Sequence, residues 1–275
     1  MSPLLRRGAT LTRIVPTELP AVSALLDQDP VANVFLRSEL RLGAQRQSWW
    51  ALGANGSLRA VMLGGPLIVP WIPDPSDAAV MAGALTHQPP ARLMIGPAPA
   101  IRALLGAVAN RQRPREVRDP QPLMVLDRAP AVPPGVAVGR GRREDLDRLT
   151  LAAAAMHREE MGVDPMSLDP AGWRSRMATL VDRGWSFLWS EGGEILFKVE
   201  LSAWTPEALQ LQGVWTNPRL RRRGLAAAGL AAVCAELLHD VPLCSLYVNA
   251  YNEPALRLYA RLGFRQVGEF ATVMF

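Results

Sequence analysis

One segment, Leu209–Leu237, constrains the fold more than any other part of the chain. It begins with an alternating apolar run that ends at Trp215, and it continues through a turn into four arginines within five residues. Gly224 and a stretch rich in alanine and leucine follow. The pattern predicts a strand, a basic turn and a helix in direct succession. Such a succession is typical of a mixed α/β fold, in which helices cover a central sheet.

The basic turn has the chemistry of an anion-binding loop. The first N–H groups of a helix lack partners and carry a partial positive charge. Gly224 would allow a phosphate to approach the backbone closely, and Arg221, Arg222 and Arg223 add positive charge. The spacing Arg221-x-x-Gly224-x-Ala226 matches neither a P-loop nor G-x-G-x-x-G. The pattern therefore leaves two interpretations open, a phosphate site and a basic loop that caps an ordinary helix.

A second strand followed by a helix lies nearer the end of the chain, in "SLYVNAYNEPALRLYARLGF". Asn249 is near the carboxyl end of this strand, where open α/β sheets bind ligands. Tyr259 follows Asn252 by seven residues, which is about two helical turns, so these two side chains share a helix face.

These two segments resemble the GNAT superfamily of acyl-CoA-dependent N-acyltransferases. The resemblance covers roughly Val136–Phe275. "RRRGLA" is similar to the pyrophosphate loop of the family, Q/R-x-x-G-x-G/A, and "VNAYNEPALRLYARLGF" is similar to its second cofactor motif. The resemblance implies a GNAT fold with a mixed central sheet flanked by helices. It also implies that the strands ending at Trp215 and near Asn249 splay apart, with pantetheine in the gap.

The resemblance also implies the residues that bind acetyl-CoA, the expected co-substrate; no metal is expected. Pantetheine would bond to main chain at Val214, Trp215 and Thr216. The pyrophosphate would lie on the N–H groups of Arg222, Arg223, Gly224, Leu225 and Ala226, beside Arg221. Asn249 and Asn252 would contact the co-substrate through their side chains.

The candidate catalytic residues are an acid and a base. Tyr259 stands where the family often keeps a general acid, which would protonate the leaving thiolate; a tyrosine packed at the sheet edge is the alternative. An alkyl amine has a pKa of about 10.4, so a carboxylate base is useful near pH 7. Glu159, Glu160 and Glu200 are the candidates. The alternative for Glu159 and Glu160 is an ordinary pair of surface residues, and the alternative for Glu200 is an ion pair with Lys198 on an exposed strand face. Some family members use no protein base.

A proline-rich stretch, Asp127–Gly141, predicts a linker between two domains, residues 1–130 and 131–275. The first domain has mixed α/β patterns but no R-x-x-G-x-G/A loop after a strand. It is compatible with a degenerate second GNAT-like domain, as in tandem members of the superfamily, some of which begin with a stretch similar to Leu25–Leu40. Such a half would help to shape the acceptor pocket without binding acyl-CoA.

Composition excludes several other classes. The net charge of +5 is a mild excess for a nucleic-acid binder. The basic segment Arg111–Arg118 is interpreted as a solvated loop, with an anionic partner site as the alternative. The most apolar stretch, Ala60–Pro73, is too short and too broken by Gly and Pro to cross a membrane. No secretory signal follows Arg6 and Arg7.

The sequence thus predicts a cytoplasmic acetyl-CoA-dependent N-acetyltransferase, an acyltransferase of the EC 2.3.1 class. It would transfer acetyl directly to a primary amine of a small molecule or peptide, in a ternary complex. The alternative is a non-catalytic acyl-CoA sensor with the same fold. Two cysteines and three isolated histidines give no disulfide framework and no zinc motif. The oligomeric state is left open.

Overall fold

A computed structural model describes residues 9–43, 48–54, 56–133 and 135–275. Arg6 and Arg7, and Pro134 of the predicted linker, lie outside these ranges. The backbone forms two compact units. The first contains the described residues up to Met124, together with Tyr247–Glu253 and Gln266–Phe275; the second contains Val125–Leu246 and Pro254–Arg265. In the described ranges, no helix combines the length and apolar character that crossing a membrane requires.

Runs of strands and runs of helices follow one another along the described chain. The strands are β1 (Ala9–Arg13), β2 (Ser48–Ala54), β3 (Ser57–Gly64), β4 (Leu67–Trp71), β5 (Leu93–Pro97), β6 (Glu116–Leu126), β7 (Gly139–Arg140), β8 (Ser186–Glu191), β9 (Glu194–Trp204), β10 (Leu209–Thr216), β11 (Cys244–Tyr247) and β12 (Arg265–Met274). The helices are α1 (Leu19–Leu26), α2 (Val34–Gly43), α3 (Ala78–Met81), α4 (Ala98–Val108), α5 (Leu146–Met161), α6 (Pro165–Leu168), α7 (Pro170–Asp182), α8 (Leu225–Leu237) and α9 (Glu253–Leu262).

The sheet of the first unit has the order β1-β2-β3-β4-β5-β12-β6. Neighbours from β1 to β4 are antiparallel, and β4 runs parallel to β5 over only two residue pairs. Because strand side chains alternate between faces, Val61 packs with α1 and α2 while Met62 packs with α3 and α4. Helices therefore cover both faces of this sheet.

The sheet of the second unit has the order β11-β10-β9-β8-β7. On one face, Leu149 of α5, Leu180 of α7 and Trp215 of β10 share a core. On the other face, α8 lies so close to β9 that a Cβ on Gly229 would come within 2.5 Å of the Phe197 ring. This close approach holds the N-terminus of α8 next to the end of β10.

The strands β10 and β11 separate soon after they begin to pair. They are parallel, and their paired residues are Leu209 with Cys244 and Gln210 with Ser245. The strand β10 then continues to Thr216. The predicted mixed, splayed sheet flanked by helices is therefore confirmed.

Two sequence-based interpretations need correction. The strands β1 and β4 were not predicted; the apolar stretch Ala60–Pro73 turns back at Gly65 and so contributes to both β3 and β4. The segment Arg111–Arg118 is not entirely a loop, because β6 begins within it at Glu116. A run of a few residues does not show by itself whether another strand is available to pair with it.

Candidate functional site

The loop between β10 and α8 has the backbone geometry of an anion-binding nest. Asn217 opens the loop by accepting the Arg219 N–H at 3.1 Å through its side chain. Arg222 and Gly224 then adopt left-handed conformations, with φ of +64° and +81°. Left-handed residues in a turn direct successive N–H groups into a concavity that suits anions. A Cβ on Gly224 would meet no atom within 4 Å, so the space beside it is open.

The helix that follows adds further donors to this nest. The first bond within α8 runs from the Ala228 N–H to the Gly224 carbonyl, at 3.1 Å. The N–H groups of Leu225 and Ala226 precede that bond, so the helix supplies them with no acceptor. Both residues are partly exposed. The partial positive charge of the helix end therefore points to the same place as the nest.

The four arginines of the loop divide into two pairs. Arg219 is paired with Glu194. Arg221 binds both carboxylate oxygens of Glu159, at 2.5 and 2.7 Å, and its Nε donates to the Thr216 carbonyl. Arg222 and Arg223 are exposed and make no ion pair or side-chain hydrogen bond with any described residue. The side chains of Arg222 and Arg223 are therefore available to bind an anion.

The end of β10 carries a bulge that frees its main chain. Gln212 pairs with Glu200 and Trp215 pairs with Lys198, so Gly213 and Val214 have no partner on β9. Because β11 has already separated, the main chain of Val214 borders the gap between the strands. Trp215 and Thr216, the other two predicted pantetheine contacts, rejoin the ladder and are buried.

Sequence reasoning missed Gly213. Its φ is +62°, a conformation that favours glycine. A glycine inside an alternating strand pattern is a signal of a bulge, and "LQLQGVW" contains that signal.

Tyr259 on α9 is buried, with 7% of its surface exposed, and its ring packs 5.7 Å from that of Phe264. Burial raises the pKa of Tyr259 above its usual value of 10, and the charges of Glu160 and Cys234 raise it further. The phenol therefore holds its proton at neutral pH, as a proton donor must.

The two neighbouring glutamates of α5 have different surroundings. Glu160 is exposed, and its charge acts on Tyr259. The hydrogen bonds from Arg221 lower the pKa of Glu159 below its usual value of 4.5, against a smaller opposing effect of burial. Successive helical residues point about 100° apart, which accounts for the separate partners. A carboxylate held by an arginine is the weaker base.

Asn249 and Asn252 fall in the first unit. The Asn249 side chain accepts from Gln121 at 2.8 Å and donates to the Tyr251 hydroxyl at 2.9 Å. The Asn252 N–H donates to the Asn249 carbonyl at 2.9 Å. Both polar groups of the Asn249 side chain thus have protein partners, and co-substrate contacts of these two residues stay a prediction.

Lys198 and Glu200 form the predicted ion pair, but not on an exposed strand face. Lys198 is fully buried and Glu200 is 4% exposed. Their Nζ and Oε1 atoms are 2.5 Å apart. The interpretation of the strand was wrong because α5 covers this face: the Met156 sulfur lies 3.9 Å from the lysine nitrogen.

The first unit contains a different loop after its own parallel pair of strands. The turn that follows β4 begins with Asp74, whose carboxylate accepts the Ser76 N–H at 3.0 Å. Asp77 follows and pairs with Arg59 at 2.8 Å. The turn after β4 thus carries two carboxylates beside one arginine, a less favourable setting for a phosphate than the arginine-rich loop of the second unit. In neither unit do the described residues bring three or more His, Cys, Asp or Glu side chains together as a metal site.

Comparisons with family models match two parts of the chain. Residues 153–264 match the Acetyltransferase (GNAT) family, and residues 47–149 match a domain of unknown function, DUF4081. The mycothiol acetyltransferase of Acidimicrobium ferrooxidans is 50% identical over 50 residues. That match spans 18% of this chain and only 16% of the relative.

Solved structures share the fold over nearly the whole chain. A GNAT-family acetyltransferase from Colwellia psychrerythraea is 12% identical, covers 97% of this chain and 99% of its own, and has a TM-score of 0.62. A tandem GNAT protein from the clavulanic acid biosynthesis pathway is 14% identical, matches over 97% of this chain and 98% of its own, and has a TM-score of 0.60. A GCN5-related N-acetyltransferase from Sphaerobacter thermophilus is 16% identical, covers 96% and 94%, and has a TM-score of 0.58.

Proposed function

The C-terminal half of this chain belongs to the GNAT acetyltransferase family, and from that premise we propose that it is an acetyl-CoA-dependent N-acetyltransferase. It transfers acetyl directly to a primary amine of a small molecule or peptide, within a ternary complex. One observation carries the proposal: the bulged end of β10 leads directly into the nest at Arg222–Gly224 and the N-terminus of α8. A strand edge for pantetheine and a helix end for pyrophosphate thus lie in succession.

The co-substrate contacts follow from this arrangement. The main chain of Val214, Trp215 and Thr216 bonds the pantetheine arm. The N–H groups from Arg222 to Ala226 hold the pyrophosphate, and the free guanidinium groups of Arg222 and Arg223 add charge. Arg221 acts indirectly, because its bonds to Glu159 and to the Thr216 carbonyl hold the start of the loop.

The chemistry needs a stabilised oxyanion, a proton acceptor and a proton donor. A main-chain N–H near Val214 and Trp215, free of the β9 ladder at Val214, stabilises the oxyanion of the tetrahedral intermediate. Glu160, directly or through water, takes the proton of the attacking amine; Glu159 is unsuited because Arg221 holds it. The Tyr259 hydroxyl then gives its proton to the departing thiolate.

The two halves of the chain have different roles in this proposal. Residues 131–275 form the catalytic domain. Residues 1–130 form a GNAT-like domain that binds no acyl-CoA, because Asp74 and Asp77 occupy its helix N-terminus. We also place the protein in the cytoplasm, in keeping with its two unbonded cysteines.

Gly224→Asp tests the co-substrate site. A carboxylate in the nest repels phosphate, so the variant should lose acetyl-CoA binding in calorimetry. Gly192→Asp is the matched control: Gly192 also has a positive φ, of +56°, and no atom within 4 Å of a Cβ. The control should bind as the wild type does. Equal affinity of wild type and Gly224→Asp contradicts the site.

A panel of amines with acetyl-CoA, followed by release of free thiol, tests the reaction itself. Glu160→Gln should lower kcat, and Glu159→Gln should change kcat much less. Binding of acetyl-CoA without turnover on any amine would instead support the non-catalytic sensor.

A further inference from the structure

The buried ion pair of Lys198 and Glu200 has no role in the chemistry proposed above. The two residues are separated by one position on β9, so their side chains share a face. The Lys198 Nζ donates to Glu200 Oε1 at 2.5 Å and to the Gly213 carbonyl at 3.1 Å. No other lysine occurs in the chain. The pair thus connects β9 to the bulge of β10.

Stability alone does not explain this pair. Removing two charges from water costs free energy that their mutual attraction often fails to return, and apolar residues of similar volume are often as stable. Lys198 is completely buried and Glu200 nearly so. The groups that the pair holds in place offer a better explanation.

The ion pair holds the backbone of the β10 bulge at Gly213. A backbone carbonyl that leaves a strand ladder takes another partner, either water or a side chain. Gly213 has no ladder partner in the backbone of β9, and the Lys198 side chain donates to its carbonyl instead. A Cβ at Gly213 would come within 2.5 Å of Glu200 Oε2 and 3.3 Å of Lys198 Nζ. The ion pair and the glycine thus fit together, with the pair pressed against the backbone of the bulge.

We propose that Lys198 and Glu200 are positioning residues for the acyl donor. By holding Gly213, they keep the main chain of Val214 out of the β9 ladder and fixed beside the gap. This inference rests on the proposed function, which assigns that main chain to pantetheine and the oxyanion. Glu200 is then not the base, because its carboxylate is engaged by Lys198.

The double variant Lys198→Met/Glu200→Leu tests the role. Because Gly213 is partly exposed, water can take the place of the lysine at its carbonyl. The apolar side chains should then keep the melting temperature near that of the wild type. Affinity for coenzyme A should fall about tenfold, since a charged hydrogen bond no longer fixes the bulge. Affinity for 3′,5′-ADP should stay unchanged, because that probe carries phosphate groups but no pantetheine and the nest is intact.

Ser245→Ala is the matched control. The Ser245 hydroxyl is also buried and also donates to a β10 carbonyl, that of Leu209, at 2.7 Å. This bond lies at the other end of the strand. Its loss should lower the melting temperature and leave both affinities unchanged.

The outcomes separate this inference from the function on which it rests. If the wild type does not bind coenzyme A, the proposed function fails and this role fails with it. If the wild type and the folded double variant bind coenzyme A equally, the positioning role alone is refuted. Gly213→Ala provides a second test should the double variant not fold: it should show the same selective loss, and full affinity would refute the role.

Discussion

Replacing Gly229 by alanine should destabilise the second unit, because α8 lies directly on the Phe197 ring. The added Cβ would come within 2.5 to 2.8 Å of three ring carbons. Phe197 is completely buried, so its ring can move only by displacing other core groups. Either the helix or the strand must shift, and the loop at the start of α8 shifts with the helix.

Two effects of opposite sign determine the magnitude. Alanine in a helix interior is favoured over glycine by about 1 kcal/mol. An extra carbon in a well-packed core costs about 1–3 kcal/mol. Gly106 of α4 isolates the first effect, since a Cβ there meets no atom within 4 Å. Gly106→Ala should therefore stabilise the protein. The free energy of unfolding of Gly229→Ala should be about 1–3 kcal/mol lower than that of Gly106→Ala.

Urea unfolding followed by circular dichroism measures both variants against the wild type. Calorimetry with coenzyme A then tests whether the displaced helix weakens the nest, as we expect for Gly229→Ala and not for Gly106→Ala. If the two substitutions stabilise the protein equally, α8 does not approach β9 as closely as described, and the reasoning is refuted.

Three further predictions concern the candidate site. Tyr259→Phe should lower kcat about 100-fold with little change in coenzyme A affinity. Because the pKa of Tyr259 is raised, the hydroxyl stays protonated, and wild-type kcat should not fall through deprotonation of Tyr259 up to about pH 10. Arg222→Ala/Arg223→Ala should weaken coenzyme A binding about tenfold at low salt and less at high salt, and an equal effect of Arg221→Ala would contradict their distinct roles. Glu159→Gln should cost no more than about 1 kcal/mol of stability at pH 7, since the pair is solvent-screened. The pKa of Glu159 is lowered by folding, so this difference should begin to shrink below pH 4.5 and should vanish only below the lower pKa of the folded state. A constant difference in acid urea titrations would show that the ion pair is not its source.

The parts that the sequence predicted well are those with a local physical cause. The strand, basic turn and helix of Leu209–Leu237 follow from alternation, a glycine and a run of good helix formers, all adjacent in the chain. Tyr259 and Glu160 were named from the family resemblance and from their place in the chain, and their catalytic roles stay predictions.

The parts that were missed depend on residues far apart in the chain. Arg221 as a contact of the phosphates stays a prediction, but its partner Glu159, 62 positions away, could not be read from the loop sequence. Lys198 was placed on an exposed face, since its strand alternates as a half-exposed strand would, and only the packing of α5 buries it. The strand β12, from the end of the chain, pairs with β5 in the first unit. No local pattern predicts such a partner.

The sequence by itself determined the strand, turn and helix of Leu209–Leu237 and the positive charge of the loop, because helix propensity, turn conformation and charge act over a few neighbouring residues. Only the tertiary structure decided which charges remain free for a ligand and which carbonyl needs the buried lysine. Those outcomes depend on burial and on strand register, and both are set by contacts between distant segments.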